Sequence, residues 1–151
     1  MDRLPLPGGC PGLGVDLVEV ERFRSSLEHG GPAFRDRLFT AAEQAECEAR
    51  PDPAPHYAAR FAVKEAAMKA LGTGWSGGLA FTDFEVHSDG RSAPGLQLRG
   101  RAAERAREAG ILAWRVSLSH TRALAVAVVL AVAGDAAPGH GGREDQSPEA
   151  G

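Results

Sequence analysis

At 151 residues, 43% hydrophobic and 25% charged, the chain has the size and balance of one soluble domain with a sizeable core. Its net charge of -3 and pI near 5.9 exclude a global attraction for nucleic acid, so a polyanionic partner has to be met by a local basic patch. Cys10 and Cys47 lack metal-ligand spacing, the N-terminus has no apolar leader, and the longest apolar run, Ala123 to Ala133, is too short to span a bilayer. Free thiols, a cytoplasmic location and no membrane segment are therefore expected, and no internal repeat suggests a solenoid.

Residues 1–12, rich in proline and glycine, are predicted to be a flexible arm. From Leu13 the pattern alternates, with Leu13, Val15 and Leu17 on one face and Gly14, Asp16 and Val18 on the other, which describes a short strand. Asp16 is unfavourable there by propensity; it either caps the helix that follows or serves as a metal ligand or acid/base group. Glu19 to His29 predicts a helix with Val20, Phe23 and Leu27 inward, stopped by Gly30-Gly31. Arg22, Arg24, Arg35 and Arg37 make a basic run, read either as a solvated face or as a dock for an acidic protein. Thr40 to Glu48 predicts a structural helix opened by an N-cap threonine with Glu43 at the capping-box position.

After a rigid proline loop over Arg50 to Pro55, the stretch Arg60 to Gly72 combines strong helix formers with a glycine placed for a left-handed cap. At about 100° per residue, Arg60 and Lys64 share one arc and Glu65 and Lys69 another. Tyr57, Phe61 and Met68 lie between them, and Ala59, Ala62, Val63, Ala66, Ala67 and Ala70 form a close-packing face. Two apolar arcs imply a helix covered on both sides, with a charged arc as the wall of a cleft; two exposed pairs at i,i+4 are the plainer alternative.

Gly72 to Gly78 is a flexible turn whose backbone N–H groups suit phosphate oxygens. Phe81 to His87 and Gly95 to Leu98 predict a hairpin, and Arg99 to Ala109 an amphipathic helix with Ala102, Ala106 and Ala109 inward. Val116 to Arg122 and Ala123 to Val132 then predict an antiparallel pair with Ser119 to Arg122 at its tip. The adjacent Ser119 and His120 are not a hydrolase signature, because a catalytic serine sits on a sharp elbow far in sequence from its histidine. Residues 133–151 are expected to be a disordered tail, leaving 13–132 as the domain.

Asp16 and Glu65 are the minimum that a protein supplies to Mg²⁺, and the cations and donors around them suit phosphates. The stretches Gly14 to Phe23, Arg60 to Gly74 and Val116 to Thr121 resemble, in order, the three motifs of the holo-acyl-carrier-protein synthases, the short class of 4'-phosphopantetheinyl transferases. The resemblance implies an α+β fold with an antiparallel sheet flanked by helices, and a trimer with active sites between subunits. It implies transfer of 4'-phosphopantetheine from coenzyme A to a serine of an apo acyl carrier protein, with release of adenosine 3',5'-bisphosphate. Asp16 and Glu65 match the family's Mg²⁺ ligands, and Lys69 is placed for the reacting phosphate. Arg60, Lys64, Ser119, His120 and Thr121 match the groups that hold the other phosphates and the nucleotide, which Gly72 to Gly78 borders. Arg22, with Arg24 beside it, matches the dock for the carrier's acidic helix. Deprotonation of the incoming serine falls to Glu65 or to a water on the metal. Cys10-Pro11 departs from the family's apolar strand residues, so the first strand is expected to begin late or lie at an edge. The rival reading is a non-catalytic module that binds an acidic protein or a nucleotide through the same basic patch.

Overall fold

Alanine lets a helix approach its neighbours closely, and the helix α3 (Pro53–Leu71) uses that property along most of its length. A computed structural model of the chain describes residues 10–72 and 74–134; the rest of the predicted arm and tail, and Thr73, lie outside the described residues. Asp52 caps α3 by accepting from the Ala54 N–H, and Gly72 closes it in the left-handed conformation predicted for it. The proline loop ends sooner than predicted. Pro53 and Pro55 belong to the first helical turn, where the N–H they lack has no intrahelical partner anyway.

Two sheets meet this helix. β1 (Gly12–Glu19), β5 (Leu124–Ala133) and β4 (Ile111–His120) form an antiparallel sheet in that spatial order, and β2 (Phe84–His87) pairs antiparallel with β3 (Gly95–Leu98). The helices α1 (Val20–Leu38), α2 (Ala41–Glu48) and α4 (Gly100–Glu108) complete the predicted α+β arrangement. β1 is an edge strand that begins at Gly12, paired with Ala131, as the Cys10-Pro11 departure suggested. Strand pairing extends from Gly12 to Ala133.

One core lies between α3 and the three-stranded sheet, where Ala62, Val63, Ala66, Ala67 and Ala70 meet Ala127, Val129 and Ala131. A second joins α1, α2 and the N-terminal half of α3 through Phe23, Leu27, Phe39 and Tyr57. Ala66 is wholly buried against the sheet. Ala66→Leu is expected to cost about 1–3 kcal/mol by overpacking, read from denaturant unfolding, and a neutral result would contradict this orientation of α3.

Three local expectations change. The first helix does break at Gly31 (φ 60°, ψ -156°), but Pro32 restarts it and it runs on to Leu38. Ala109 lies beyond α4 and is exposed, leaving Ala102 and Ala106 as the inner face. β4 begins at Ile111, earlier than the alternation from Val116 suggested, because Ile111 to Arg115 also pair with β5. The Thr40–Glu43 capping box forms as predicted.

Candidate active site

Glycine at two positions of β1 sets the site's geometry. A Cβ added at Gly12 would stand 1.9 Å from the Ala70 carbonyl oxygen, and one at Gly14 would stand 1.8 Å from that of Ala66. Their absence lets β1 lie directly on the backbone of α3. Asp16, two residues on and on the same face of the strand, is thereby brought to Glu65, the residue before Ala66. Asp16 does not cap α1, whose N-cap is Glu19.

Lys69 joins the two elements. Its Nζ donates to the Val15 carbonyl at 2.9 Å and to Asp16 Oδ1 at 3.0 Å, so it reaches across to β1 instead of closing an i,i+4 pair on its own helix. Trp75 Nε1 donates to Glu65 Oε2 at 3.3 Å. Burial pushes the Glu65 carboxyl above its usual range and the negative charge of Asp16 adds to the effect, while the Trp75 bond and Lys69 oppose it.

Asp16 and Glu65 line one open cleft of about 400 Å³, with Glu19, Arg22 and Ser26 on its polar side and Phe23, Phe34 and Phe61 among its apolar residues. Two carboxylates of like charge side by side, one partly buried, suit a hard divalent cation that keeps waters and takes its remaining oxygens from phosphate. Among the described residues no group of three or more His, Cys, Asp or Glu side chains gathers as a metal cage. The carboxylate oxygens of Asp16 and Glu65 are donors that fit a hard cation such as Mg²⁺.

Other predicted site residues lie elsewhere. Lys64 is fully buried, and its ammonium donates to Glu43 Oε2 and to the Phe81 carbonyl, each at 2.9 Å. Burial lowers its pKa, and this placement corrects the expectation that it faces phosphate. Arg60, only 3% exposed, is likewise turned inward, to Glu46 and to the carbonyls of His56 and Ser88. The arc that Arg60 and Lys64 share faces α2 and β2 and not the cleft. Arg24 is also committed: it grips Asp52 through two bonds of 2.7 and 2.9 Å and pairs with Glu21, leaving Arg22 as the exposed guanidinium at the cleft.

The β4–β5 tip is separate from the cleft within one chain, because β5 lies between β1 and β4. The Thr121 hydroxyl accepts from the Ala123 and Leu124 N–H groups and so closes the turn. The ring of His120 meets that of His56 edge to face at 5.2 Å. Ser119 falls in a cross-strand row with Val126 and Leu17, on the sheet face away from α3. The β1 and β5 part of that face is apolar and uncovered, with Leu13, Val15 and Leu17 58%, 55% and 60% exposed, while β4 adds Arg115, Ser117 and Ser119. Gly72 stands at the end of α3 as expected, one turn beyond Lys69.

The profile of the 4'-phosphopantetheinyl transferase superfamily matches residues 12–129, from the first residue of β1 into β5. The chain belongs to that superfamily. It is similar to the holo-[acyl-carrier-protein] synthase of Geobacter sp. (strain M21), 46% identical over 119 residues that cover 79% of this chain and 95% of the relative. The crystal structure of the Neisseria meningitidis holo-[acyl-carrier-protein] synthase superposes with a TM-score of 0.72 at 32% identity, covering 81% of this chain and 98% of that one. The Helicobacter pylori synthase, solved in complex with coenzyme A, gives a TM-score of 0.69 at 29% identity over 80% of this chain and 99% of its own. Membership in this group of synthases makes the chain an enzyme, a transferase.

Sequence reasoning missed Glu46 and Trp75, and took Glu43 for a cap alone. A signal for the two glutamates was present: Glu43 and Glu46 share a face of α2 at i,i+3, matching the Arg60 and Lys64 pair at i,i+4 on α3. Phe34 and Ser26 at the cleft had none, since the helix carrying them was read as ending before Phe34.

Proposed function

We propose that this transferase moves 4'-phosphopantetheine from coenzyme A to a serine hydroxyl of an apo acyl carrier protein, with Mg²⁺, and releases adenosine 3',5'-bisphosphate. The observation that carries this reading is the convergence of Asp16 and Glu65, from two elements, on one cleft, with Lys69 bonded to Asp16 beside it. Asp16 and Glu65 would hold the metal. When bound, Mg²⁺ would neutralise charge on the pyrophosphate of coenzyme A as the bond to the leaving nucleotide breaks. Lys69, on the exposed side of α3, exchanges its bond to Asp16 for the reacting phosphate and carries positive charge to it. Arg22 at the cleft meets the acidic surface of the carrier, and the apolar wall of Phe23, Phe34 and Phe61 keeps water from the transfer.

The uncovered sheet face supports a trimer. Burying Leu13, Val15 and Leu17 against a second copy removes an apolar patch that a monomer would leave in water. Ser119 lies on the same face, so a neighbouring copy is the means of bringing Ser119, His120 and Thr121 to the nucleotide. The wild type is expected to elute with three times the chain mass in light scattering, and Leu13→Asp, on the same face and outside the cleft, to release monomers that have lost activity. A fully active Leu13→Asp monomer would contradict the shared site.

The metal requirement is tested by turnover with excess chelator, restored by Mg²⁺, with adenosine 3',5'-bisphosphate quantified by chromatography. Undiminished turnover in chelator, or another nucleotide product, would overturn this chemistry. The alternative of a non-catalytic module requires Asp16 and Glu65 to be dispensable, which their convergence argues against.

A further inference from the structure

We propose that Trp75 is the positioning residue of Glu65: its indole N–H holds one carboxylate oxygen, fixing the orientation in which Glu65 presents itself to the cation beside Asp16. The inference rests on the metal reading above. It begins with the turn after α3, in which Gly74, Gly77 and Gly78 all take positive φ, at 60°, 82° and 79°. Glycine adopts these angles without the steric cost other residues incur. The turn carries Trp75 onto an aromatic stack. Its ring lies 3.8 Å from that of Phe81, tilted by 35°, and meets Phe84 edge to face at 6.0 Å. Phe81 in turn stacks on Phe61 of the cleft at 5.6 Å.

An indole held on two sides by rings has little freedom to turn, so the direction of its single N–H is set by packing. That direction is towards Glu65 Oε2, at 3.3 Å. A partly buried glutamate has three side-chain torsions, and one fixed donor removes most of that freedom before a cation arrives. Glu65 is thus pre-oriented by a residue of the turn, ten positions away and not on its own helix.

The test uses the whole enzyme. Trp75→Phe keeps an aromatic ring, smaller than the indole, and deletes the N–H. It is expected to weaken Mg²⁺ binding by about tenfold in calorimetry and to lower kcat by a similar factor, with KM for coenzyme A within twofold, in a variant whose far-UV circular dichroism shows that it is folded. Trp114, the second of the two tryptophans, packs at the edge of the sheet core, so Trp114→Phe isolates the Trp75 emission. In that background MgCl2 is expected to change the emission saturably, and adding Glu65→Gln to abolish the change. This arm decides the matter if Trp75→Phe folds poorly. Wild-type Mg²⁺ affinity and kcat in a folded Trp75→Phe, or an emission indifferent to Mg²⁺ while the enzyme binds it, would overturn the positioning role and leave the metal reading standing. No Mg²⁺ binding and no Mg²⁺ requirement in the wild type would remove the metal reading, and this inference with it.

Discussion

Gly14→Ala is expected to lower stability by about 3 kcal/mol and to reduce transfer by at least about a hundredfold, because the added methyl collides with backbone. Its Cβ would stand 1.8 Å from the Ala66 carbonyl oxygen, 2.7 Å from the carbonyl carbon and 3.0 Å from the Ala70 nitrogen. A side-chain tip could swing aside, whereas these atoms belong to the hydrogen-bonded interior of α3. The strand itself has to lift, and Asp16 lifts with it. A displacement of about 1 Å at a metal-holding carboxylate is enough to misplace the reacting phosphate. Gly95→Ala is the control, since nothing lies within 4 Å of the Cβ it would add; it should leave both unfolding and turnover unchanged. Denaturant melts and initial rates on the two variants check the pair. Wild-type stability and rate in Gly14→Ala would show that β1 does not rest on α3 in this way.

The second large effect is expected at Lys64. Truncation to alanine strands Glu43, whose carboxylate is fully buried and also accepts from the Val86 N–H at 2.9 Å. Removing one partner of a buried pair costs about 3–5 kcal/mol, mostly as the penalty of the charge left behind. The double variant Lys64→Met with Glu43→Gln removes both charges, keeps one side-chain acceptor where the carboxylate used one oxygen for the Val86 N–H and the other for the Thr40 N–H, and should recover part of the loss. Unfolding of Lys64→Met, Glu43→Gln and the double variant makes a cycle that isolates the pair. If instead Lys64→Ala melts like the wild type and raises KM for coenzyme A, Lys64 faces phosphate after all.

These two positions also mark what the sequence could reveal. The helix from Arg60 to Gly72, its alanine face and its glycine cap were legible because helix formers and period are local properties. The capping box at Thr40 was legible for the same reason. Which charged arc of α3 faces solvent was not legible, because the arc is decided by Glu43 and Glu46, packed against it from another helix. Similarly, alternation places Gly14 on one face of a strand with Asp16 and Val18; why that position is a glycine appears only when the strand lies on α3. The separation of Ser119, His120 and Thr121 from the cleft depends on strand order, which a sequence pattern of two adjacent apolar runs does not contain. The three motifs together pointed to the superfamily, yet placed Lys64 at phosphate, where in this chain it is buried against Glu43.

The central claim is that Asp16 and Glu65 act together on coenzyme A in the cleft between β1 and α3. Its most direct test is intact mass spectrometry of an apo acyl carrier protein incubated with this enzyme, coenzyme A and Mg²⁺, run in parallel with Glu65→Ala. The wild type should shift the carrier by the mass of one phosphopantetheine, and Glu65→Ala should leave it at the apo mass over the same time. No shift with any of several carriers, or a full shift with Glu65→Ala, would contradict the account.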